Sequence, residues 1–323
     1  MKILLETIDL VKHFPVTKTF FRKSDRFVRA VDGVSIGIEE GENSALVGES
    51  GSGKTTFGRL VMRFLEPTSG KILLERVDIS QMDNSAIKKF RRHVQMVYQD
   101  PQASLNPRKA VRQALSQPFL IHKVAQGSEL DERVRKLLES VGLTPPEIFL
   151  ERYPHELSGG QRQRVVLARA LALEPRFIVA DEPVSALDVS VRAQALKLMK
   201  ELGEKLGVTY LLITHDLGVV RSVCSEVFVM YLGKIVEMAE TEELFTNALH
   251  PYTQALLSAA PIPDPELARS KKRIILTGDI PSPIDVPAGC RFRTRCPRTC
   301  GKRTDEPALH EVGKGHFVAC HFD

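Results

Sequence analysis

Apolar and polar positions alternate along two stretches near the start of the chain, Ile3–Val11 and Val28–Ile38. This period of two residues predicts half-buried β-strands, and Asp32–Gly33 predicts a turn or a bulge. Short, continuous apolar runs occur later, at 44–47, 177–180 and 208–213, and they indicate fully buried strands. Helical patterns lie between them, at 57–64, 162–173 and 189–206.

Residues 103–150 differ from the rest because they have amphipathic helical spacing and no strand pattern. Breaks are expected at Pro107, Pro118, Gly127 and the pair Pro145–Pro146. This segment therefore predicts an inserted helical lobe rather than more sheet.

The composition of the chain bears on its cellular location and on the kinds of partner it has. The chain has 323 residues, of which 43% are hydrophobic and 26% charged, with a net charge of +5. No apolar run approaches the ~20 residues that a membrane-spanning helix needs. The first residues lack the apolar core and cleavage site of a signal peptide. We therefore expect a cytoplasmic location, and the modest charge without a long basic stretch argues against nucleic acid as a partner.

A glycine-rich segment at 48–56, GESGSGKTT, fits the phosphate-loop pattern G-x-x-x-x-G-K-[ST]. A strand pattern precedes it and a helical pattern follows it, which is the context that the motif requires. Its glycines let the backbone curl so that N–H groups face phosphate oxygens. Lys54 supplies a charge for the β- and γ-phosphates, and the Thr55 hydroxyl can ligate Mg²⁺. The segment predicts a nucleoside triphosphate site.

Further candidate residues follow in chain order. The segment LSGGQ at 157–161 places Ser158 as a helix cap, and its glycines expose backbone N–H groups that form a second anion site. Asp181 and Glu182 end a buried strand, where one carboxylate can hold Mg²⁺ through water and the other can orient or deprotonate an attacking water. His215 ends the next buried strand, where it could meet a γ-phosphate.

These motifs occur in the order GESGSGKTT, Gln99, LSGGQ, FIVADE, SALD and THD. In that order they resemble the ATP-binding subunit of an ABC transporter, over roughly residues 1–250. Four longer segments resemble its oligopeptide/dipeptide permease subfamily: AVDGVS at 30–35, QMVYQDPQASLNPR at 95–108, RYPHELSGGQRQR at 152–164 and HPYTQALLSAAP at 250–261. SLNPR and GGQRQR are more similar to the second, F-type ATPase of that system's pair.

The resemblance implies a role for each matching position. Phe14 matches the aromatic that stacks on adenine, although a core aromatic fits its pattern equally well. The other implied ATP-binding residues are Gly48, Glu49, Ser50, Gly51, Ser52, Gly53, Lys54, Thr55 and Thr56. Implied magnesium positions are Thr55, Gln99 and Asp181. Implied catalytic residues are Glu182, which polarises water, His215, which contacts the γ-phosphate, and Gln99. Ser158, Gly159, Gly160 and Gln161 would close over the ATP of a partner subunit.

The resemblance also implies an architecture. It is an α/β P-loop ABC ATPase with an N-terminal antiparallel β subdomain, an inserted helical subdomain and a small cysteine-containing C-terminal extension. The implied boundaries are 1–250 for the nucleotide-binding domain, with the helical subdomain at about 100–172, and 251–323 for the extension.

The implied function is ATP hydrolysis, with ATP and Mg²⁺, that energises import of di- or oligopeptides at the cytoplasmic face of the membrane. Implied partners are a paralogous ATPase (or a second copy of this chain), two transmembrane permease subunits and an extracytoplasmic solute-binding protein. The alternatives are an oligosaccharide importer, such as one for cello-oligosaccharides, a nickel importer, or a soluble ABC ATPase acting on DNA or ribosomes. Other subunits choose the cargo, so this sequence does not name it.

Four cysteines lie in the last 34 residues, Cys290, Cys296, Cys300 and Cys320, separated by five, three and nineteen residues. Four thiolates can hold a [4Fe–4S] cluster or a zinc ion. The resembling subfamily has a similar cluster, described as [4Fe–4S], but the gap before Cys300 is shorter here. An iron–sulfur cluster is therefore the expectation, with zinc or thiols without metal as alternatives. Basic residues at 291, 293, 295, 298, 302 and 303 would compensate thiolate charge, meet anionic lipid, or form a solvated face.

Overall fold

The computed structural model describes residues 2–16, 26–185, 187–260, 273–298 and 305–322. The chain divides into two compact units. The first unit contains Met1–Gln81 and Ile213–Asp323, and the second contains Met82–Leu212.

The described strands are β1 (Ile3–Pro15), β2 (Phe27–Glu39), β3 (Ser44–Val47), β4 (Ser69–Leu74), β5 (Val77–Asp78), β6 (Val94–Val97), β7 (Phe177–Asp181), β8 (Thr209–Thr214), β9 (Glu226–Tyr231), β10 (Lys234–Glu240), β11 (His310–Gly313) and β12 (His316–Val318). The described helices are α1 (Lys54–Val61), α2 (Asn84–Phe90), α3 (Pro101–Ser104), α4 (Val111–Ile121), α5 (Gly127–Ser140), α6 (Glu147–Leu150), α7 (Gly159–Leu171), α8 (Val189–Leu206), α9 (Leu217–Val223), α10 (Thr241–Thr246) and α11 (Pro251–Ala259).

An antiparallel sheet in the first unit has the strand order β2-β1-β4-β5. Its two long strands pair from Ile3 with Glu39 to Pro15 with Phe27, and the register shifts at several points. Gly33 has a φ of 77° inside β2, so Asp32–Gly33 forms an irregularity within the strand and not a turn that ends it. The predicted N-terminal antiparallel β subdomain is confirmed.

A second, mixed sheet in the same unit has the order β11-β12-β10-β9-β3. β3 pairs with β9 in parallel, whereas β9, β10, β12 and β11 pair antiparallel in succession. Every residue of β3 is buried, as its unbroken apolar run predicts. The C-terminal residues therefore return to the unit that contains the glycine-rich loop.

Helices dominate the second unit, where α3 to α6 form the predicted helical lobe and β6 pairs in parallel with β7. Pro118 was expected to break a helix, but it lies inside α4. A proline removes one backbone hydrogen bond. Packing holds the helix together here, because Val111, Leu115 and Phe119 on its inner face are buried. Predicted domain boundaries at 250 and 251 stay a prediction.

In the part of the chain that the structure describes, no helix has both the length and the apolar character needed to cross a membrane.

Candidate functional site

The glycine-rich loop connects β3 to α1 in the first unit. At two of its positions, only glycine avoids a clash with neighbouring backbone. A Cβ on Gly48 would lie 2.2 Å from the Met230 carbonyl oxygen, and one on Gly53 would lie 2.1 Å from the Ala30 carbonyl oxygen. Both have positive φ, 153° and 111°. The loop is thus wedged against backbone on two sides, which only glycine permits.

Lys54 begins α1 and its side chain folds back over the loop. Its ammonium donates hydrogen bonds to the carbonyl oxygens of Gly48 and Glu49, both at 2.8 Å. The side chain is buried, whereas Thr55 beside it is exposed. A helix start with a lysine charge over it is an arrangement suited to a polyphosphate.

Glu49 forms hydrogen bonds with two residues from the C-terminal part of the chain. Both of its carboxylate oxygens accept hydrogen bonds from Arg295, at 2.6 and 3.0 Å, and its N–H donates to the Tyr252 hydroxyl at 2.7 Å. The hydrogen bonds to Glu49 raise the pKa of Arg295 above its ordinary value. The sequence did not identify either contact: Tyr252 entered only as part of the HPYTQ segment, and Arg295 only as one of a basic group.

The basic group itself is therefore neither a uniform solvated face nor simple compensation for thiolates. Arg291 and Arg295 are both buried, with 7% of each residue exposed, in ion pairs with Asp32 and Glu49. Burial alone would raise the pKa of the Asp32 carboxyl, but hydrogen bonds from Arg291 and His13 hold it below its ordinary value. These two arginines are structural partners of acidic residues in the N-terminal part of the chain.

Phe14 is half-buried on β1, opposite Val28. The Lys12 ammonium lies 5.2 Å from the centre of its ring. His13, its neighbour, shares a hydrogen bond of 2.8 Å with Asp32. Phe14 is therefore not a fully buried core aromatic, and its role in stacking on adenine stays a prediction.

The HPYTQ segment starts α11 through a buried network. His250 Nδ1 accepts a hydrogen bond from the N–H of Tyr252 at 3.1 Å, which caps the helix. Burial lowers the pKa of His250 to about 3, so the ring is neutral and this nitrogen can accept. The Glu237 carboxylate accepts hydrogen bonds from the backbone N–H groups of Leu249 and His250, at 2.7 and 3.1 Å. The network fixes the position from which Tyr252 reaches the loop.

In the second unit, two predicted site residues meet. Gln99 follows β6 and Glu182 follows β7, and the amide nitrogen of Gln99 donates to a Glu182 carboxylate oxygen at 2.7 Å. The two strands are parallel neighbours, so their carboxyl ends lie at one edge. Asp181 is buried at the end of β7. Glu182 has a φ of 45°, a backbone conformation that non-glycine residues adopt mainly where the surroundings impose it.

LSGGQ forms a reciprocal helix cap. The Ser158 hydroxyl accepts from the N–H of Gln161 at 3.2 Å, and the Gln161 side chain accepts from the N–H of Ser158 at 3.0 Å. A Cβ on Gly160 would lie 2.7 Å from a Val191 methyl group, so α7 and α8 approach closely only because this residue is glycine. The motif opens on a groove of about 310 Å³ that is also lined by Leu187.

His215 lies in the first unit, between two residues that build a turn. The Thr214 hydroxyl accepts from the N–H of Asp216 at 3.0 Å, and the Asp216 carboxylate caps α9 by accepting from the N–H of Gly218 at 3.0 Å. The His215 side chain between them is exposed. Its contact with a γ-phosphate stays a prediction.

Of the four cysteines expected to bind metal, Cys290 and Cys296 are half-buried, Cys320 is buried, and Cys300 lies outside the described residues. Among the residues that the structure describes, no group of three or more His, Cys, Asp or Glu side chains is placed to hold a metal ion. The expected iron–sulfur cluster, and its zinc alternative, therefore receive no support from this geometry.

Known protein families match two separate parts of this chain. A family model described as "ABC transporter" matches residues 31–185, and one described as "Oligopeptide/dipeptide transporter, C-terminal region" matches residues 236–302. The oligopeptide transport ATP-binding protein AppF of Bacillus subtilis is 49% identical over 322 residues, covering 98% of this chain and 97% of that protein. The dipeptide transport ATP-binding protein DppF of Haemophilus influenzae is 47% identical, covering 99% and 97%.

A solved structure also resembles it. The dimeric ATP-binding cassette MJ0796, in a post-hydrolysis state bound to ADP and Pi, matches with a TM-score of 0.63 and 28% identity, over 73% of this chain and 98% of that one. The relatives named for peptides give no support to the oligosaccharide alternative.

Proposed function

This chain belongs to the ABC transporter family of ATP-binding subunits, and from that premise we propose that it hydrolyses ATP to energise a peptide importer. The observation that carries the proposal is the glycine-rich loop, which lies tightly against the backbone carbonyls of Met230 and Ala30, with the Lys54 side chain across it. Such a loop holds phosphates with backbone N–H groups and one fixed charge. We assign Gly48–Thr56 to ATP, with Phe14 on the adenine and His215 on the γ-phosphate.

The chemistry follows from the residues of the second unit. In this proposal Glu182 polarises a water molecule. Its support is the hydrogen bond that one Glu182 carboxylate oxygen accepts from Gln99, which restrains the orientation of the carboxylate. Gln99 donates to Glu182 through its amide nitrogen, so a cation would be bound by its amide oxygen. Asp181 and Gln99 in the second unit, and Thr55 in the first, carry oxygen donors of the kind that Mg²⁺ prefers, so each of these residue types fits this ion. When bound, Mg²⁺ neutralises charge that develops on the phosphates.

We further propose that LSGGQ serves the ATP of a partner subunit. The side chains of Ser158 and Gln161 each accept a hydrogen bond from the other residue's backbone N–H, and this cap orders the start of a helix beside an open groove. A helix N-terminus of this kind attracts anions. MJ0796 is described as a dimer bound to ADP and Pi. The partner we propose is a paralogous ATPase, with a second copy of this chain as the alternative.

The cargo that we propose is a di- or oligopeptide, as the names of AppF and DppF state for those proteins. The test is a complex assembled from this chain, its partner ATPase, two permease subunits and the solute-binding protein, in vesicles. Short peptides should raise its ATP hydrolysis several-fold. Stimulation by cello-oligosaccharides or by nickel, with peptides inactive, would contradict the peptide assignment and leave the ATPase assignment intact.

We propose that the helical lobe docks on the permease, which would keep the protein at the cytoplasmic face of the membrane. Exposed apolar side chains lie on α4 and α6, which pack against each other: Leu120 is 51% exposed, Ile121 50% and Ile148 49%. A transmembrane subunit would cover such groups with an apolar segment of its own.

The variant Ile148→Glu should therefore reduce recovery of this chain with co-expressed permease subunits by about tenfold, because burying a charge in an apolar contact is costly. The measurement is the ratio of ATPase to permease after affinity purification through the permease. Leu206→Glu is the matched control, since Leu206 is also 49% exposed in the second unit but ends α8. Equal recovery of both variants would reject this surface.

As a separate and narrower proposal, Cys290, Cys296, Cys300 and Cys320 bind a [4Fe–4S] cluster. The support is chemical: four soft thiolate donors lie within 34 residues. The three thiols that the structure describes do not form a group that could hold a metal ion, so we assign the cluster no role in ATP hydrolysis. Anaerobically purified protein should contain about four iron and four sulfide per chain. Zinc near one per chain, or no metal, would contradict the cluster and leave the ATPase assignment standing.

A further inference from the structure

We propose that Arg295 and Arg291, on one turn-rich segment of the C-terminal extension, are positioning residues for ATP binding. Each reaches from this segment to a nucleotide-binding part of the first unit. The inference rests on the assignment of the glycine-rich loop to ATP, and it adds residues that lie far outside every nucleotide-binding motif of the sequence. All of the contacts described below are within the first unit.

The Arg295 contact is the stronger of the two. Its guanidinium donates to both oxygens of Glu49, at 2.6 and 3.0 Å, and its side chain is only 8% exposed. A bidentate arginine–carboxylate pair fixes the relative orientation of the two side chains as well as the distance between them. Glu49 is the second residue of the glycine-rich loop, and its carbonyl oxygen receives the Lys54 ammonium. Arg295 thereby acts on the loop that carries the phosphate-binding lysine.

Tyr252 secures the same residue from another direction. Its hydroxyl accepts the N–H of Glu49 at 2.7 Å. Burial raises the pKa of Tyr252, so this hydroxyl keeps its proton and stays neutral. The N–H, the carbonyl and the carboxylate of Glu49 are thus all bonded. The partners of the N–H and of the carboxylate, Tyr252 and Arg295, belong to the chain after residue 250. The loop position is held by side chains that the loop sequence does not contain.

Arg291 makes the second connection. Its guanidinium donates to Asp32, whose other oxygen shares a hydrogen bond with His13, the residue before Phe14. It also donates to the carbonyl of Leu232, in the turn whose Gly233 N–H bonds to the Ser52 carbonyl at 2.8 Å. One arginine therefore supports both the strand that carries Phe14 and the far side of the glycine-rich loop.

The segment is firmly attached between the two arginines. Phe292 is 2% exposed and packs against Tyr231 edge to face, with ring centres 5.3 Å apart. His250 and Tyr252 also contact this ring, with centres 5.4 and 5.7 Å away. The Arg295 guanidinium lies 6.0 Å from the centre of the Tyr231 ring. A buried aromatic anchor keeps both arginines from swinging away, which is what a positioning role requires.

The consequence is a specific kinetic signature. Neither arginine belongs to the residues assigned to the water, the magnesium ion or the γ-phosphate. Losing Arg295 would let the loop relax and would weaken ATP binding before reaction and in the transition state alike. Such a loss raises KM and leaves kcat unchanged.

The test uses the full chain and its variants Arg295→Met and Arg298→Met. ATP hydrolysis gives KM and kcat, and a fluorescent ATP analogue gives Kd. We expect Arg295→Met to raise KM and Kd by about tenfold with kcat changed less than about twofold. Arg295→Lys should recover part of the loss, because lysine restores the charge but not the two-pronged geometry. Arg291→Met should show the same pattern, more weakly.

Arg298→Met is the matched control. Arg298 lies on the same segment, but it donates to the Phe322 carbonyl at 3.2 Å and to the Gln254 side chain at 3.4 Å, not to the loop. Its loss should lower the melting temperature without moving KM. In the double variant Glu49→Gln, Arg295→Met, the Kd of ATP should be no higher than the higher of the two single-variant Kd values. The reason is that the two residues act through one contact.

Unchanged KM in Arg295→Met, or equal KM shifts in Arg295→Met and Arg298→Met, would overturn the inference and make Arg295 a residue of general stability only. If Arg295→Met does not fold, Arg295→Lys and Glu49→Gln decide the question by the same comparison of KM with kcat. A parent chain that binds no ATP would instead overturn the proposed function, and this inference with it.

Discussion

Replacing Glu182 with glutamine is expected to slow ATP hydrolysis by about 10²- to 10⁴-fold, the usual contribution of a positioned general base. The substitution keeps the size of the side chain and removes its charge. ATP binding should persist, because the glycine-rich loop and Lys54 are unchanged. A variant that binds ATP without hydrolysing it should accumulate the ATP-bound, closed pair of subunits that we propose.

The geometry makes this variant informative. Gln99 donates its amide nitrogen to Glu182 at 2.7 Å. A glutamine at 182 can still receive that hydrogen bond through its amide oxygen, so local structure should survive. The φ of 45° at this position is also retained, since glutamine and glutamate have the same backbone preferences. Loss of activity would then report on the carboxylate and not on a collapsed site.

The measurements are the rate of phosphate release at saturating ATP, the Kd of ATP and the elution volume in gel filtration with ATP. Glu174→Gln is the matched control: Glu174 precedes the same strand, β7, is exposed, and also has a positive φ, 51°. That variant should hydrolyse ATP at the parental rate. Near-parental turnover in Glu182→Gln would show that another group activates the water.

Replacing Gly53 with alanine is expected to weaken ATP binding by about 100-fold or more, since misplacement of a binding group by even 1 Å is costly. The new Cβ would lie 2.1 Å from the Ala30 carbonyl oxygen and 2.9 Å from the Met230 side chain. A flexible methionine can move, but a backbone carbonyl in β2 cannot move without breaking the sheet. The loop itself must shift, and the N–H groups that face the phosphates shift with it.

Backbone strain adds to the clash. Gly53 has a φ of 111°, which side chains other than hydrogen rarely allow, and strain of this kind costs about 1–3 kcal/mol. Gly41→Ala separates the two effects, because Gly41 has a φ of 84° with no atom within 4 Å of a new Cβ and lies outside the loop. That control should be somewhat less stable and should bind ATP normally.

Isothermal titration with ATP and thermal melting distinguish the outcomes. Weak binding by a folded Gly53→Ala chain, beside normal binding by Gly41→Ala, would support the wedged loop. Parental affinity in Gly53→Ala would mean that the loop does not need its close approach to Ala30, and the phosphate-binding assignment would then lose its structural basis.

The sequence by itself determined the features that are local. The order of apolar runs predicted β3, β7 and β8, because a buried strand must be apolar on both faces. Gly48–Thr56 was recognisable because the loop's geometry depends on residues that are neighbours in the chain. The helix cap of Ser158 was recognisable for the same reason, since its partner Gln161 is three residues away. Patterns within a few residues carry this information.

Only the tertiary structure decided which distant residues meet. Arg295 was visible as one of several basic residues, but its partner Glu49 is 246 positions away, and Arg291 is 259 positions from Asp32. No periodicity links such pairs, since the packing of the folded chain decides which acidic residue a buried arginine meets. Pro118 likewise sits inside α4 because tertiary packing outweighs one missing hydrogen bond. The support of the glycine-rich loop by the C-terminal extension was for this reason unreadable until the chain was folded.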